Sequence, residues 1–443
     1  EKVSGERTAE ISRIIGDAYY KTDNFDEAIV YLEKSYDIVK NTSDLDVYQL
    51  AYAYYRTQNY NRAAELFQDI VSIDDTLSQN ASYHLADCYV RLGNKKSAQL
   101  AFASAARIDY NPEISEDALF NFAKLSFELD YTPFNEAIKA FNQYINKYPN
   151  SERLDEAYEY LLQAFVNTKN YKGAIDVIEK IQHRTPKIDE AYQRICYLRG
   201  LELFINLKYN EAVKMFDKSL SYAQYNSKIE AYCIYWKAEA NYRQEDFNKA
   251  IKLYTEFLES RGAVNTSEFA TAHYNLGYAY FMQKKYNEAG NWFRKYEKQY
   301  KGEPNKAVND ALNRIGDCYY INRDYAPATD YYKKSALMGI FDADYALYQM
   351  GLAYGGQKKP QEKVWSLTRL VDEHPKSEYI GYAYYEIGKT YSTMLQNPDS
   401  AVVYLQHFSQ NYPNSPQVKI ALADLGSIYY NKRQFDKALA TYK

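Results

Sequence analysis

The residues able to do chemistry are scattered along the chain. Five histidines stand at His84, His183, His273, His374 and His407, and a metal site needs several such ligands gathered by the fold. No pair has zinc-helix spacing, and there is no phosphate-binding G-x-x-x-x-G-K-[ST] loop and no G-x-S-x-G nucleophile turn. A structural role for each histidine is the better reading. Cys88 and Cys318 each precede an aromatic residue in Asp-Cys-Tyr and read as small buried side chains. Cys196 and Cys233 fall on first helices of adjacent repeats and are able to approach one another. Among 58 carboxylates some pair always lies at a glycosidase-like distance, so solvated helix faces explain them better. The sequence therefore assigns no catalytic residue, no metal and no cofactor, and reads as a non-enzyme.

Tyrosine is the unusual component, at 51 of 443 positions against 19 Phe and 3 Trp. Its apolar ring and polar tip suit half-buried surfaces and binding faces. The 54 basic and 58 acidic residues give a net charge of −4 without a basic block, which argues against a nucleic-acid binder. No stretch approaches the roughly 18 apolar residues of a membrane span. At 46% hydrophobic and 25% charged, the composition is that of folded protein. The chain starts at Glu1 and reaches Lys443 inside a helical pattern, so a fragment of a longer protein is expected.

What must position these residues is a repeat. A small residue is followed three positions later by an aromatic, twelve later by alanine and sixteen later by a bulky apolar residue. Gly16, Tyr19, Ala28 and Leu32 start the series; Ala51, Tyr54, Ala63, Phe67 and Gly277, Tyr280, Ala289, Phe293 repeat it. The alanine slot recurs at 28, 63, 98, 137, 174, 212, 250, 289, 328, 363, 401 and 438, with Lys363 the exception. Apolar spacing of three and four residues makes each copy a pair of helices. A polar turn such as Arg56-Thr-Gln-Asn-Tyr60 joins them. Asn or Asp on either side of the turn aromatic (Asn24 and Asp26, Asn59 and Asn61, Asp246 and Asn248) is suited to cap the second helix. The small residues allow the helices to cross closely.

These motifs resemble the tetratricopeptide repeat family along essentially the whole chain. The resemblance implies an all-α, right-handed α-solenoid of about twelve helix-turn-helix units with one concave face. The units fall roughly at 4–40, 41–77, 78–112, 113–150, 151–187, 188–225, 226–264, 265–304, 305–340, 341–376, 377–414 and 415–443, as one solenoid. Endings such as Tyr148-Pro-Asn-Ser151, His374-Pro-Lys-Ser377 and Tyr412-Pro-Asn-Ser415 resemble a bacterial envelope subgroup. A periplasmic or envelope-associated location follows from that resemblance, with the cytoplasm as alternative. Unit ten departs most, with Gly355-Gly356, Pro360 and Lys363, and is expected to pack most loosely.

In the resembled family the first helix of each unit lines the groove at offsets −6, −3, +1 and +4 from the small residue. Transferred here, these give Tyr48, Tyr52 and Tyr55 in unit two, Tyr83 in unit three, and Tyr197 and Phe204 in unit six. Unit seven supplies Tyr232, Tyr235 and Tyr242; unit eight supplies Tyr274, Tyr278 and Phe281. Tyr320, Tyr345, Tyr348, Tyr382 and Tyr385 come from units nine to eleven. The competing reading is that such a tyrosine packs against the next unit, its hydroxyl reaching water or a carboxylate. The Lys and Asn by which some family members clamp a chaperone C-terminus are missing at −3 and +1 in every unit.

The resulting expectation is a protein-interaction scaffold that binds an extended peptide or a partner helix in a tyrosine-lined groove. Two alternatives come from other classes: a module binding cell-envelope carbohydrate or peptidoglycan, and a regulatory arm of an enzyme outside these residues. Self-association is a further option for so aromatic a surface.

Overall fold

A computed structural model describes residues 2–71, 75–129, 136–181 and 183–443. Among the described residues there are 24 α-helices, one short 3-10 turn at Ala263–Asn265 and no strand. The chain divides into two compact bodies, Glu1–Arg199 and Gly200–Lys443.

Each body is a run of antiparallel helix pairs. In the first, Lys2–Lys21 packs on Phe25–Ile38, Asp44–Arg56 on Tyr60–Asp69, and Thr76–Arg91 on Lys95–Arg107. In the second, Ser227–Arg243 packs on Phe247–Glu259, Glu268–Met282 on Tyr286–Gln299, and Lys306–Ile321 on Tyr325–Met338. Ala343–Gly356 with Pro360–Glu373 and Ile380–Thr393 with Pro398–Asn411 continue it. First helices also touch the first helix of the following pair, as Asp44–Arg56 does with Thr76–Arg91 and Ser227–Arg243 with Glu268–Met282.

The repeat's small residue exists for its partner sixteen positions on. A Cβ built on Gly277 would lie 2.6 Å from the Phe293 ring, and one on Gly316 would lie 2.6 Å from Tyr332. Phe293 and Tyr332 are fully buried against these helices, each burial being worth about 2–3 kcal/mol. The alanine twelve positions on is likewise inaccessible at Ala63, Ala98, Ala250 and Ala289.

The turn inside each pair uses one left-handed residue, always five positions before the alanine slot. It is Asp23, Gln58, Gly93, Lys169, Leu207, Glu245, Lys284, Arg323, Lys358, Gln396 and Arg433, with φ between 51° and 76°. The corresponding turn of unit four lies outside the described residues. The following residue's N–H reaches back to the carbonyl of the repeat aromatic, as in Asn59 to Tyr54 and Asp324 to Tyr319. This closes the first helix and satisfies its last carbonyls. Only the residue before the turn aromatic then caps the second helix. Asn59 Oδ1 accepts from the Arg62 N–H and Asp246 Oδ1 from the Lys249 N–H. Asn24 makes no side-chain cap bond, and Asn248 instead accepts from Gln283 of the next unit. The expectation that both flanks cap is thus corrected, because residues after the aromatic are already inside the helix.

Unit ten is filled. Lys363 in the alanine slot is buried, and its ammonium pairs with Glu386 at 2.5 Å. A Cβ on Gly355 would sit 3.1 Å from the Lys363 stem, so this glycine makes room for the lysine.

Consecutive pairs are joined by buried amides and serines. Gln79 donates to the Ala105 and Asn111 carbonyls and accepts from the Asn111 N–H. Asn309 does the same for Ser335, Ile340 and Phe341. In the Pro-x-Ser endings, Ser151 Oγ accepts from the Arg153 N–H and contacts Tyr144 Oη, and Ser377 Oγ accepts from the Tyr379 N–H while donating to Asp344. These serines are used by the fold.

Candidate protein-docking face

The first helices carry most of the expected tyrosines, and the structure sorts them by offset. At +4, each aromatic packs edge-on against the turn aromatic five residues later. Tyr55 with Tyr60, Phe204 with Tyr209, Tyr242 with Phe247, Phe281 with Tyr286 and Tyr320 with Tyr325 all have ring centroids 5.3–5.9 Å apart. These rings brace their own unit while staying half-buried.

In the first body, Tyr48, Tyr52, Tyr55 and Tyr83 surround His84 together with Phe67, at centroid distances of 5.1–6.2 Å. Burial in this cage lowers the imidazole to about 4, leaving it neutral. The phenols at the edge find carboxylates of the next unit: Tyr55 donates to Asp87 at 2.7 Å and Tyr83 to Asp117 at 2.5 Å. Burial first, then those carboxylates, push both phenols well above their ordinary range.

In the second body the corresponding positions hold charge. Tyr274 and Tyr278 both donate to Asp310 Oδ2, at 2.8 and 2.5 Å. Tyr332 and Tyr345 both donate to Asp317 Oδ1, at 2.7 and 2.8 Å. Arg314 lies between the two carboxylates, its Nη1 2.6 Å from Asp317 and its Nε 3.4 Å from Asp310. Burial opposes the guanidinium charge, but Asp317, Tyr345 and Asp310 outweigh it and raise Arg314 above its ordinary value. Burial also raises Asp317 against the opposing pull of Arg314. Beside them Asn313 is fully buried and neither amide atom has a hydrogen-bond partner among the described residues.

Two expected groove residues lie in the core instead. Tyr235 is 5% exposed, with its ring against Tyr254 and Phe257, and Tyr385 is 6% exposed against Phe408. The physical reason is the local neighbourhood. Asn275 donates to Tyr235 Oη and to Glu239, Tyr254 also bonds Glu239, and burial raises that carboxyl. Tyr197 and Tyr232 are half-buried. Tyr348 and Tyr382 meet at 6.3 Å, Tyr348 stacks on Tyr379 at 5.3 Å, and Tyr382 is 39% exposed.

Sequence reasoning missed Asp310, Arg314 and Asp317 as a set. A signal was present: wherever the residue at +16 is tyrosine, buried as at Tyr254 and Tyr332 or exposed as at Tyr442, position +1 is polar. Tyr254 bonds Glu239, Tyr332 bonds Asp317 and Tyr442 contacts Ser427. Units with Phe or Leu at +16 do not need that partner.

As for the other candidates, His273 bonds the Phe269 carbonyl and His407 packs on Tyr384. All four cysteines are buried. Among the described residues no group of three His, Cys, Asp or Glu is placed to hold a metal ion, and no helix is long and apolar enough to cross a membrane.

A stack of helix pairs with small-residue crossings and a tyrosine-bearing first-helix face is the architecture of a repeat scaffold. Sequence models of the tetratricopeptide repeat match residues 235–304 in one form and 117–151, 345–377 and 382–415 in another. A model described as anaphase-promoting complex, cyclosome, subunit 3 matches residues 21–105. Response regulator aspartate phosphatase E of Bacillus subtilis (strain 168) is 24% identical over 277 residues, covering 55% of this chain and 73% of the relative. Among solved structures, the C-terminal part of a TPR repeat-containing protein from Cytophaga hutchinsonii is 19% identical, covering 56% of this chain and 93% of that one, with a TM-score of 0.43. YrrB, a TPR protein with an unusual peptide-binding site, is 20% identical, covering 46% and 96%, with a TM-score of 0.37. The chain belongs to the tetratricopeptide repeat family, whose arrays are generally non-catalytic and serve as protein–protein interaction scaffolds.

Proposed function

We propose that the first-helix face of units eight to eleven docks an extended segment or a helix of a partner protein. The observation carrying this reading is the pinning of Tyr274, Tyr278 and Tyr345 by the buried Asp310–Arg314–Asp317 set. Held rings form a surface whose ordering cost is already met before a partner arrives. Next to them Tyr348 and Tyr382 present aromatic area that is not sealed in the core. Such rings contribute contact area at low entropic cost and are favoured at interface centres.

The test is affinity capture with wild type and a Tyr348→Ala/Tyr382→Ala variant, followed by direct binding of the purified captured protein. Helicity and unfolding midpoint serve as fold controls. Capture by wild type and loss in the folded variant support this face. Equal binding by both moves the site elsewhere.

A further inference from the structure

The chemistry of the partner is legible in what surrounds Tyr348 and Tyr382. Tyr345, Tyr348, Tyr379 and Tyr382 form one patch, with Tyr379 5.8 Å from Tyr345 and 5.3 Å from Tyr348. The rim of this patch is acidic. Glu378 adjoins Tyr379 in sequence, Asp344 is held by Ser377 at 2.6 Å, and Asp342 begins the helix that carries Tyr345. Asp342 stands at the N-cap position with φ 48°, yet its side chain makes no cap bond. Both Asp342 and Glu378 are exposed. These carboxylates crowd one another: burial, then Asp344 and Asp310, raise Asp342, and burial, then Glu378 and Asp344, raise Tyr379. Two nearby cations are already engaged. Arg314 sits between Asp310 and Asp317, and Lys363 is on Glu386. Beside Glu378 and Tyr382 opens a cleft of about 430 Å³, walled by Tyr412 and Pro413 of the Tyr-Pro-Asn-Ser ending. Gly381 lets that wall close in, since a Cβ there would come within 2.9 Å of the Tyr412 ring.

We infer that this patch takes a basic segment of a partner protein, with a Lys or Arg side chain laid over the Tyr348 and Tyr382 rings and facing Asp342 and Glu378. The inference rests on the docking reading above and adds the partner's charge. Ring faces attract cations within about 6 Å, and the mutual repulsion of these carboxylates, which Arg314 only partly offsets at Asp342, is relieved when a further cation arrives. An acidic segment would meet the same carboxylates with like charge, which selects against it.

The experiment titrates fluorescently labelled alternating Lys–Ala and Glu–Ala peptides into the full chain, into Asp342→Asn/Glu378→Gln and into Tyr348→Ala/Tyr382→Ala. Circular dichroism confirms that the variants are folded. The Lys–Ala peptide binds wild type, weakens about tenfold on neutralisation of the two carboxylates, and weakens further with salt. The Glu–Ala peptide does not bind. Absence of Lys–Ala binding to wild type, equal binding by the neutralised variant, or comparable Glu–Ala binding overturns the inference. The docking reading fails separately. If the captured protein needs Tyr348 and Tyr382 but ignores Asp342→Asn/Glu378→Gln, the face stands and the basic partner falls. If it ignores the tyrosines, the face falls.

Discussion

The two bodies solve the same problem with different chemistry. Around His84 the rings of Tyr48, Tyr52, Tyr55, Tyr83 and Phe67 enclose a neutral imidazole. Around Arg314 the rings of Tyr274, Tyr278 and Tyr345 are tied through their hydroxyls to two buried carboxylates and a guanidinium. One centre encloses a neutral ring and keeps its carboxylates, Asp87 and Asp117, at the rim; the other is organised around buried charge. The repeat therefore fixes where a tyrosine stands, while its neighbours decide whether it is a packing ring or an anchored one.

The largest effect that separates the two comes from Arg314→Met. It leaves Asp310 and Asp317 buried without their counter-charge and costs about 3–5 kcal/mol in the second body. Adding Asp310→Asn and Asp317→Asn returns most of that loss in chemical denaturation. If the single substitution is neutral, the charged centre is not what holds the rings.

The matching change in the first body is pH-dependent. His84 has a folded value of about 4 against an ordinary 6.5, so the unfolded chain binds the proton more readily. Stability from this group is fully present above pH 6.5 and is lost as pH falls toward 4. The loss amounts to about 3 kcal/mol. His84→Phe removes this acid sensitivity in unfolding measured across that window; an unchanged pH profile would show that the imidazole is not caged.

Smaller effects sharpen the picture further. Tyr278→Phe takes one donor from Asp310 and costs about 1.5 kcal/mol, whereas Tyr382→Phe leaves the unfolding midpoint unchanged. Asn313→Leu replaces an amide that has no hydrogen-bond partner among the described residues and gains about 1 kcal/mol; a loss instead would mean the amide has a structural role. Arg323→Gly relieves a left-handed turn residue by about 1 kcal/mol, and Gly93→Ala costs a similar amount in the equivalent turn.

Much of the fold is written openly in the sequence. The small residue, the aromatic and the alanine at fixed offsets define each helix pair, because the crossing tolerates nothing larger where Phe293 meets Gly277. The turns were less legible. Among the described residues their left-handed residue is Gly at Gly93 alone, and elsewhere it is Asp, Gln, Lys, Leu, Glu or Arg, so composition does not mark it. Groove tyrosines were legible as positions but not as roles. Whether Tyr235 is core and Tyr382 surface depends on Asn275 and Glu239 in one case and on an open cleft in the other. Those partners lie 30 or more residues away in some cases, and helical periodicity within one unit does not reveal them. The Tyr-at-+16 with polar-at-+1 pairing was readable all along, and in units seven and nine it marks a buried carboxylate, Glu239 and Asp317.

The most direct measurement is the affinity of the purified captured protein for Tyr348→Ala/Tyr382→Ala, beside wild type and Tyr48→Ala/Tyr52→Ala of the first body. The account predicts a loss of at least about thirtyfold in the first variant, as removal of central aromatic contacts gives, with full affinity in the second. Unchanged affinity in a folded Tyr348→Ala/Tyr382→Ala protein would contradict it.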